Sequence, residues 1–193
     1  MKQEIEIEFK NIITQEEFKQ LLYTFSIKDE DFITQENHYF DTETFSLKNN
    51  GCALRIRKKN DAYEMTLKQP AKDGLLETNI FLEEDIAHSM MERNIIPNNA
   101  ITQILQDEFA IDASSIQYFG SLVTNRAETK YKSGLLVLDH SIYLNKEDYE
   151  IEYEVEQFKQ GQKDFEELLK KLNIPLRKTD NKIKRFYNEK YKS

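Results

Sequence analysis

Residues 2–10, Lys2-Gln-Glu-Ile-Glu-Ile-Glu-Phe-Lys10, alternate. Lys2, Glu4, Glu6, Glu8 and Lys10 are charged, and Ile5, Ile7 and Phe9 between them are apolar. Period-two alternation marks a β-strand with two unlike faces. On the charged face Glu4, Glu6 and Glu8 stand in a row, ~7 Å apart at the rise of an extended chain. Glutamate is a poor strand former, and like charges on one face repel. A strand that keeps three carboxylates in line is therefore suited to holding a cation. Glu150-Ile-Glu-Tyr-Glu-Val-Glu156 repeats the pattern near the other end, with four carboxylates on one face.

Working outward, the 193 residues suffice for one domain with a sizeable core, and no Pro/Gly/Ser-rich linker divides them. A single domain over 1–193 is expected. Charged residues make up 32% and hydrophobic ones 39%, with twelve Phe and ten Tyr to fill a core, so the chain reads as hydrophilic but folded. No apolar run reaches transmembrane length and the first residues carry no signal-peptide h-region, so a cytoplasmic protein without a membrane partner is expected. The net charge of −8 argues against nucleic acid as a partner. Cys52 stands alone and can form neither an internal disulfide nor a thiolate zinc site; a small semi-buried residue is the expectation.

Along the chain, Thr14-Gln-Glu-Glu17 is a capping box, and Phe18, Leu21, Leu22 and Phe25 follow as a helical stripe. Strands are expected over 35–41, 53–59, 62–69 and 75–82, punctuated by Asn49-Asn-Gly51, Lys59-Asn-Asp61 and Asp73-Gly74. Helices are expected over 84–94 and 99–110, the second with Ile101, Ile104, Leu105 and Phe109 as core. Strands resume over 116–131, 135–143 and 149–158, with a turn at Lys132-Ser-Gly134. Gly161 is expected to open a helix bearing Phe165, Leu168, Leu169 and Leu172, and Thr179 to cap a last short helix with Ile183, Phe186 and Tyr187. Residues 187–192 read as a solvated tail. Eight strands joined mostly by short turns predict an antiparallel α+β fold.

Sorted by parity, Arg55, Arg57 and Lys59 share a face, as do Glu64, Thr66 and Lys68, and Thr124, Arg126, Glu128 and Lys130. A merely solvated face usually mixes signs, whereas here signs group strand by strand. Arg-x-Arg followed by Thr-x-Lys is a donor set suited to phosphate oxygens. The carboxylates suit a hard divalent cation, Mg²⁺ or Mn²⁺. A sheet curled into a barrel with its polar faces inward would form a site for a metal-bound polyphosphate. His38, His88 and His140 have no metal-ligand spacing, and the His140 side chain is expected on the face opposite Asp139.

These residues resemble a known family in order along nearly the whole chain. Glu6-Ile-Glu8-Phe-Lys10 resembles the Glu-x-Glu-x-Lys signature of the CYTH domain, or triphosphate tunnel metalloenzymes. Tyr39-Phe-Asp-Thr42, Leu54-Arg-Ile-Arg57, Thr66-Leu-Lys68, Arg126, Asp139, the acidic strand from Glu150, Lys182 and Arg185 resemble its later charged positions. Within the family the chain is most similar to the bacterial single-domain branch of the YjbK type. The resemblance implies an eight-stranded antiparallel β-barrel, a tunnel with helices packed outside, and Mg²⁺- or Mn²⁺-dependent hydrolysis of a triphosphate. It implies metal binding by Glu6, Glu8, Asp139, Glu152 and Glu154, with the register among Glu150, Glu152 and Glu154 open to a slide of two. It implies phosphate binding by Lys10, Arg55, Arg57, Lys68, Arg126, Lys182 and Arg185, with Glu154 and Lys10 catalytic. An adenylyl cyclase making cyclic AMP from ATP, or a non-catalytic polyphosphate-binding module, are the alternatives. Inorganic triphosphate, a nucleoside triphosphate and thiamine triphosphate share the recognised group, and a homodimer is compatible with the reading.

Overall fold

The computed structural model describes residues 1–72 and 74–192, so Asp73 of the expected Asp73-Gly74 turn lies outside the described residues. These contain β1 (Lys2–Ile13), α1 (Gln15–Phe25), β2 (Ile33–Thr42), α2 (Ser46–Asn49), β3 (Ala53–Lys59), β4 (Ala62–Pro70), β5 (Leu75–Leu82), α3 (Glu84–Arg93) and α4 (Ala100–Phe109), then β6 (Ile116–Tyr131), β7 (Gly134–Tyr143), β8 (Lys146–Val155), α5 (Phe158–Lys171) and α6 (Lys182–Lys190). In hydrogen-bonded order the strands run β1-β5-β4-β3-β2-β6-β7-β8 and close into a barrel: the eight strands of an antiparallel α+β fold that the pattern predicts, closed as the family resemblance implies. Among the described residues no helix is long and apolar enough to cross a membrane. The chain divides into two compact units, one of Met1–Ile5 with Gln35–Ser121, the other of Glu6–Thr34 with Leu122 onward.

In the first unit β2, β3, β4 and β5 pair antiparallel in that order. Alternation sends Phe40, Leu54, Ile56, Met65 and Leu67 to one face, where they are fully buried with Ala87 and Met90 of α3 and Ile101 and Leu105 of α4. The stripe on α4 is thus core packing, as its spacing predicts. Asn99 starts that helix: its Oδ1 accepts the N–H groups of Ile101 (2.9 Å) and Thr102 (3.0 Å). The Tyr39-Phe-Asp-Thr42 stretch has a structural use. Phe40 enters the core, and the buried Asp41 carboxylate accepts the N–H groups of Thr42, Leu47 and Lys48 at 2.7, 2.9 and 3.1 Å, folding the connection into α2. Cys52 is buried, and burial pushes its thiol up to about 11, which keeps it protonated and inert.

In the second unit β1 pairs with β8, β8 with β7 and β7 with β6, all antiparallel. Ile13, Leu136, Leu138, Ile151 and Tyr153 form the apolar face, covered by Phe18 and Leu21 of α1 and by Phe165, Leu168 and Leu169 of α5. The predicted capping box is present: Glu17 N–H donates to Thr14 Oγ1 and Thr14 N–H to Glu17 Oε2. His140 lies on the face opposite Asp139, stacked on Tyr149 at 4.6 Å and 2.8 Å from Glu147.

Four expectations need correction. Gly161 does not open α5; it lies inside it, where a Cβ would stand 2.4 Å from Val155 Cγ2 and 3.0 Å from Phe9. That glycine permits close approach to the sheet. The last helix is capped by Asn181, whose Oδ1 accepts Lys184 N–H at 2.9 Å, while Thr179 bonds to β1 instead. Residues 187–192 are not all solvated tail, since α6 runs to Lys190 and buries Tyr187 with Phe186. β8 also starts and stops earlier than the expected 149–158, because the hairpin from β7 pairs Tyr143 with Lys146.

Gly134 gives a test of the sheet. A Cβ there would meet the Glu154 carbonyl oxygen at 2.5 Å and the Tyr153 ring at 2.6 Å. Backbone cannot step aside as a flexible side chain can, so Gly134→Ala is expected to cost about 1–3 kcal/mol. A urea midpoint equal to wild type would mean that β7 and β8 part freely.

Candidate functional site

Each unit carries one strongly charged sheet face, opposite the apolar face covered by α3 and α4 in the first unit and by α1 and α5 in the second. In the first unit this face is basic along β3 and β4. Register puts Arg55 between Tyr39 and Thr66, Arg57 between Asn37 and Glu64, and Lys68 opposite Glu77. Arg57 Nε donates to Asn37 Oδ1 at 3.0 Å, Thr66 Oγ1 donates to Asn79 Oδ1 at 2.7 Å, and Lys68 pairs with Glu77. Arg55 Nε is buried and, among the described residues, meets no hydrogen-bond acceptor. A buried guanidinium N–H without an acceptor is costly, and an anionic ligand would supply one. Sequence reasoning missed Asn37, Glu77 and Asn79. Their parity was visible, but which residue each one faces depends on strand register.

In the second unit the charged face is acidic and threaded with cations. Glu8 of β1 lies directly opposite Glu154 of β8, Lys10 opposite Glu152, and Glu150 opposite Asp139 of β7. Arg126 of β6, cross-strand from Asp139, donates to it through Nε at 2.8 Å and Nη2 at 2.7 Å. Its Nη2 also reaches Glu152 Oε2 at 2.7 Å. Lys182, in the first turn of α6, brings Nζ to 2.8 Å from both Asp139 and Glu150 and also pairs with Glu152. Arg185, one turn on, binds Asp148 through Nε at 2.9 Å and Glu150 through Nη2 at 2.7 Å. Asp148, absent from the sequence-predicted set, also accepts the Tyr143 hydroxyl at 2.7 Å. Its parity with Glu150 was the available signal.

The electrostatics separate these carboxylates into two kinds. Burial opposes the charge on Asp139, yet Arg126 and Lys182 hold its carboxyl below the usual range. Burial also opposes the charge on Glu152, but Lys182, Arg126 and Lys10 hold it well below. Burial works against Lys182 and Arg126 as cations, and the carboxylates around them more than offset it, raising both. Glu154 behaves in the opposite way. Burial pushes its carboxyl up to about 7; Arg126, 3.8 Å away, pulls down, and Glu152, Glu8 and Glu128 push further up.

Of the predicted metal ligands, Asp139 and Glu152 are thus engaged by protein cations, while Glu8 and Glu154 face each other. Glu8 also touches Lys10. Glu6 precedes Glu8 on the same strand face by alternation. Among the described residues no three His, Cys, Asp or Glu side chains form a metal cage by themselves. Glu4 is exposed and pairs with Lys2 at 2.7 Å, and Glu156 is exposed beyond the end of β8.

A CYTH domain model matches residues 4–187. The chain is 52% identical over 195 aligned positions to YjbK of Bacillus subtilis (strain 168), provisionally named a triphosphatase, covering 100% of both. Among solved structures, a Bacillus halodurans protein provisionally named an adenylate cyclase matches with a TM-score of 0.93 and 43% identity, over 97% of this chain and 100% of that one. HpAC1 from Hippeastrum, described as having a dominant triphosphatase activity, matches with a TM-score of 0.81 and 23% identity over 96% of each chain, and so supports the fold.

Proposed function

The chain belongs to the CYTH domain family, and on that premise we propose that it is a divalent-metal-dependent triphosphatase removing the terminal phosphoryl group of a small-molecule triphosphate. The observation that carries this reading is the sorting of charge. Glu8 and Glu154 stand opposite one another on β1 and β8, and Arg55, Arg57 and Lys68 share one face of β3 and β4. The triphosphatase name borne by a 52% identical relative of the same length supports it. The reading takes 1–193 as one functional domain, as a family match from residue 4 to 187 favours. It includes a cytoplasmic setting and no nucleic-acid or membrane partner, consistent with the net charge of −8.

Mg²⁺ or Mn²⁺ is the proposed cofactor. Mg²⁺ keeps several waters and needs only one or two carboxylates besides phosphate oxygens, so Glu6 and Glu8 fit it without a complete protein cage. Bound there, the cation would neutralise charge developing on the phosphate oxygens. Arg55, Arg57 and Lys68 bind phosphate oxygens, and Arg55 Nε, which meets no acceptor among the described residues, takes one of them. Asp139 fixes the Arg126 guanidinium bidentately, so that its Nη1, 3.8 Å from Glu154 Oε1, is held in place to meet negative charge. Lys10 sits beside Glu8 and opposite Glu152, and offers an ammonium on the acidic face. Glu154, with a carboxyl near neutrality, takes the proton of the attacking water. Asp139 and Glu152 serve Arg126 and Lys182 in this reading, rather than the metal.

The test is phosphate release from inorganic triphosphate, ATP and thiamine triphosphate with Mg²⁺, Mn²⁺ or EDTA. Release from at least one, abolished by EDTA, is expected, with Glu8→Gln slower by about 100-fold or more. Wild-type turnover in Glu8→Gln would remove Glu8 from the metal set. The 43% identical structure named an adenylate cyclase favours a second reading, in which the ribose 3′-hydroxyl of ATP replaces water. Cyclic AMP from the same sample would establish it, and tight binding without either product would leave a binding module.

A further inference from the structure

Residues 174–181, between α5 and α6, contain no helix or strand, yet they deliver Lys182 to three buried carboxylates. A length of irregular chain can do this only if something fixes it. Asn11 of β1 is fully buried, and both ends of its amide are used on this segment. Its Nδ2 donates to the Pro175 carbonyl at 3.0 Å, and its Oδ1 accepts the Arg177 N–H at 2.5 Å. Ile12 N–H donates to Thr179 Oγ1 at 2.7 Å, and Thr179 Oγ1 donates to the Arg177 carbonyl at 3.0 Å. The Arg177 guanidinium binds both Glu17 oxygens, at 2.7 and 2.8 Å, and donates to the Ile12 carbonyl at 3.1 Å. Bidentate Arg–carboxylate pairing fixes direction as well as distance. An asparagine buried among apolar neighbours on the helix-covered face of β1 is otherwise hard to account for.

We propose that Asn11 and Arg177 are positioning residues for hydrolysis. They clamp the 175–179 segment along β1, so that α6 starts where Lys182 meets Asp139, Glu150 and Glu152. Lys182 and Arg126 share Asp139 and Glu152. If Lys182 withdraws, Arg126 is left as the ion-pair partner of both carboxylates, with Lys10 acting only on Glu152, and is pulled from its working direction. The proposal rests on the triphosphatase reading for its effect on turnover, but not for its effect on Lys182.

The experiment pairs two readouts on Arg177→Ala, Arg177→Lys and wild type, at a temperature where all three are folded by circular dichroism. The first is labelling of Lys182 by an amine-acylating reagent, read by mass spectrometry, with exposed Lys192 as the internal reference. The second is kcat and KM for inorganic triphosphate with Mg²⁺. In wild type, Lys182 is expected to be protected. In Arg177→Ala its labelling rises about tenfold or more relative to Lys192, and kcat falls about 10- to 100-fold, the scale of a small misplacement, with KM little changed. Arg177→Lys restores part of both. Unchanged labelling overturns the clamp. Increased labelling with unchanged kcat overturns its role in turnover. If wild type hydrolyses no triphosphate, the functional reading fails while the labelling still decides the clamp.

Discussion

Lys182→Met is expected to lose about 3–5 kcal/mol of stability, the scale seen when one partner of a buried ion pair is removed. Its ammonium is the shared counter-ion of Asp139, Glu150 and Glu152, all of them buried. Methionine fills the space but leaves Asp139 to Arg126, Glu150 to Arg185, and Glu152 to Arg126 and Lys10. The pH dependence identifies the cause. In wild type the carboxyls of Asp139 and Glu152 are lowered, so their contribution is present above the ordinary carboxylate range and is lost as pH falls through the folded values. Lys182 is raised, so its contribution is complete at neutral pH and is lost only as alkali titrates it. In the variant the stranded carboxylates take up protons more readily, so acid relieves it. The gap between the two urea midpoints should therefore narrow from about pH 8 to about pH 5. A gap independent of pH would point to packing instead.

Glu154→Gln carries the second large effect, with two opposite signs. Turnover should fall by about 10²–10⁴, the range for loss of a positioned general base. The metal-free protein should at the same time become more stable at alkaline pH. The folded carboxyl sits at about 7 rather than the ordinary 4.5, so the folded state binds the proton more tightly than the unfolded one. Stability then declines as pH climbs from the lower value through the upper, by roughly 3 kcal/mol at 1.36 kcal/mol per pKa unit. Glutamine cannot ionise and escapes that decline. Thermal melts with chelator should show the variant above wild type at about pH 8 and level with it at about pH 4.5. A variant less stable at both would mean that the carboxylate is needed for the fold itself.

Alternation made much of this legible beforehand. The charged faces of β1, β3, β4 and β8 follow from period two, and the capping box at Thr14 and the apolar stripe on α4 follow from local spacing. What was not legible depends on distant parts of the chain. That Asp139 and Glu152 answer to Lys182 depends on where an irregular segment returns α6, and no local pattern encodes that. Gly161 looked like a helix boundary because glycine often punctuates one; its use here, close approach to Val155, exists only once α5 lies on the sheet. Thr179 and Asn181 are both competent caps, and the contest was decided by Ile12, whose N–H takes the threonine hydroxyl.

The pairing of β1 with β8, Glu8 against Glu154, also bears on how the protein is made. Translation proceeds at roughly 5–20 residues per second, so the first strand leaves the ribosome on the order of ten seconds before this partner exists. During that interval Ile5, Ile7 and Phe9 form an alternating segment with no β8 to complete its ladder, of the kind that recruits other chains. The glutamates between them are like charges that would oppose in-register stacking of one nascent chain on another. The carboxylate row would then guard the newborn chain against aggregation before it takes part in any chemistry.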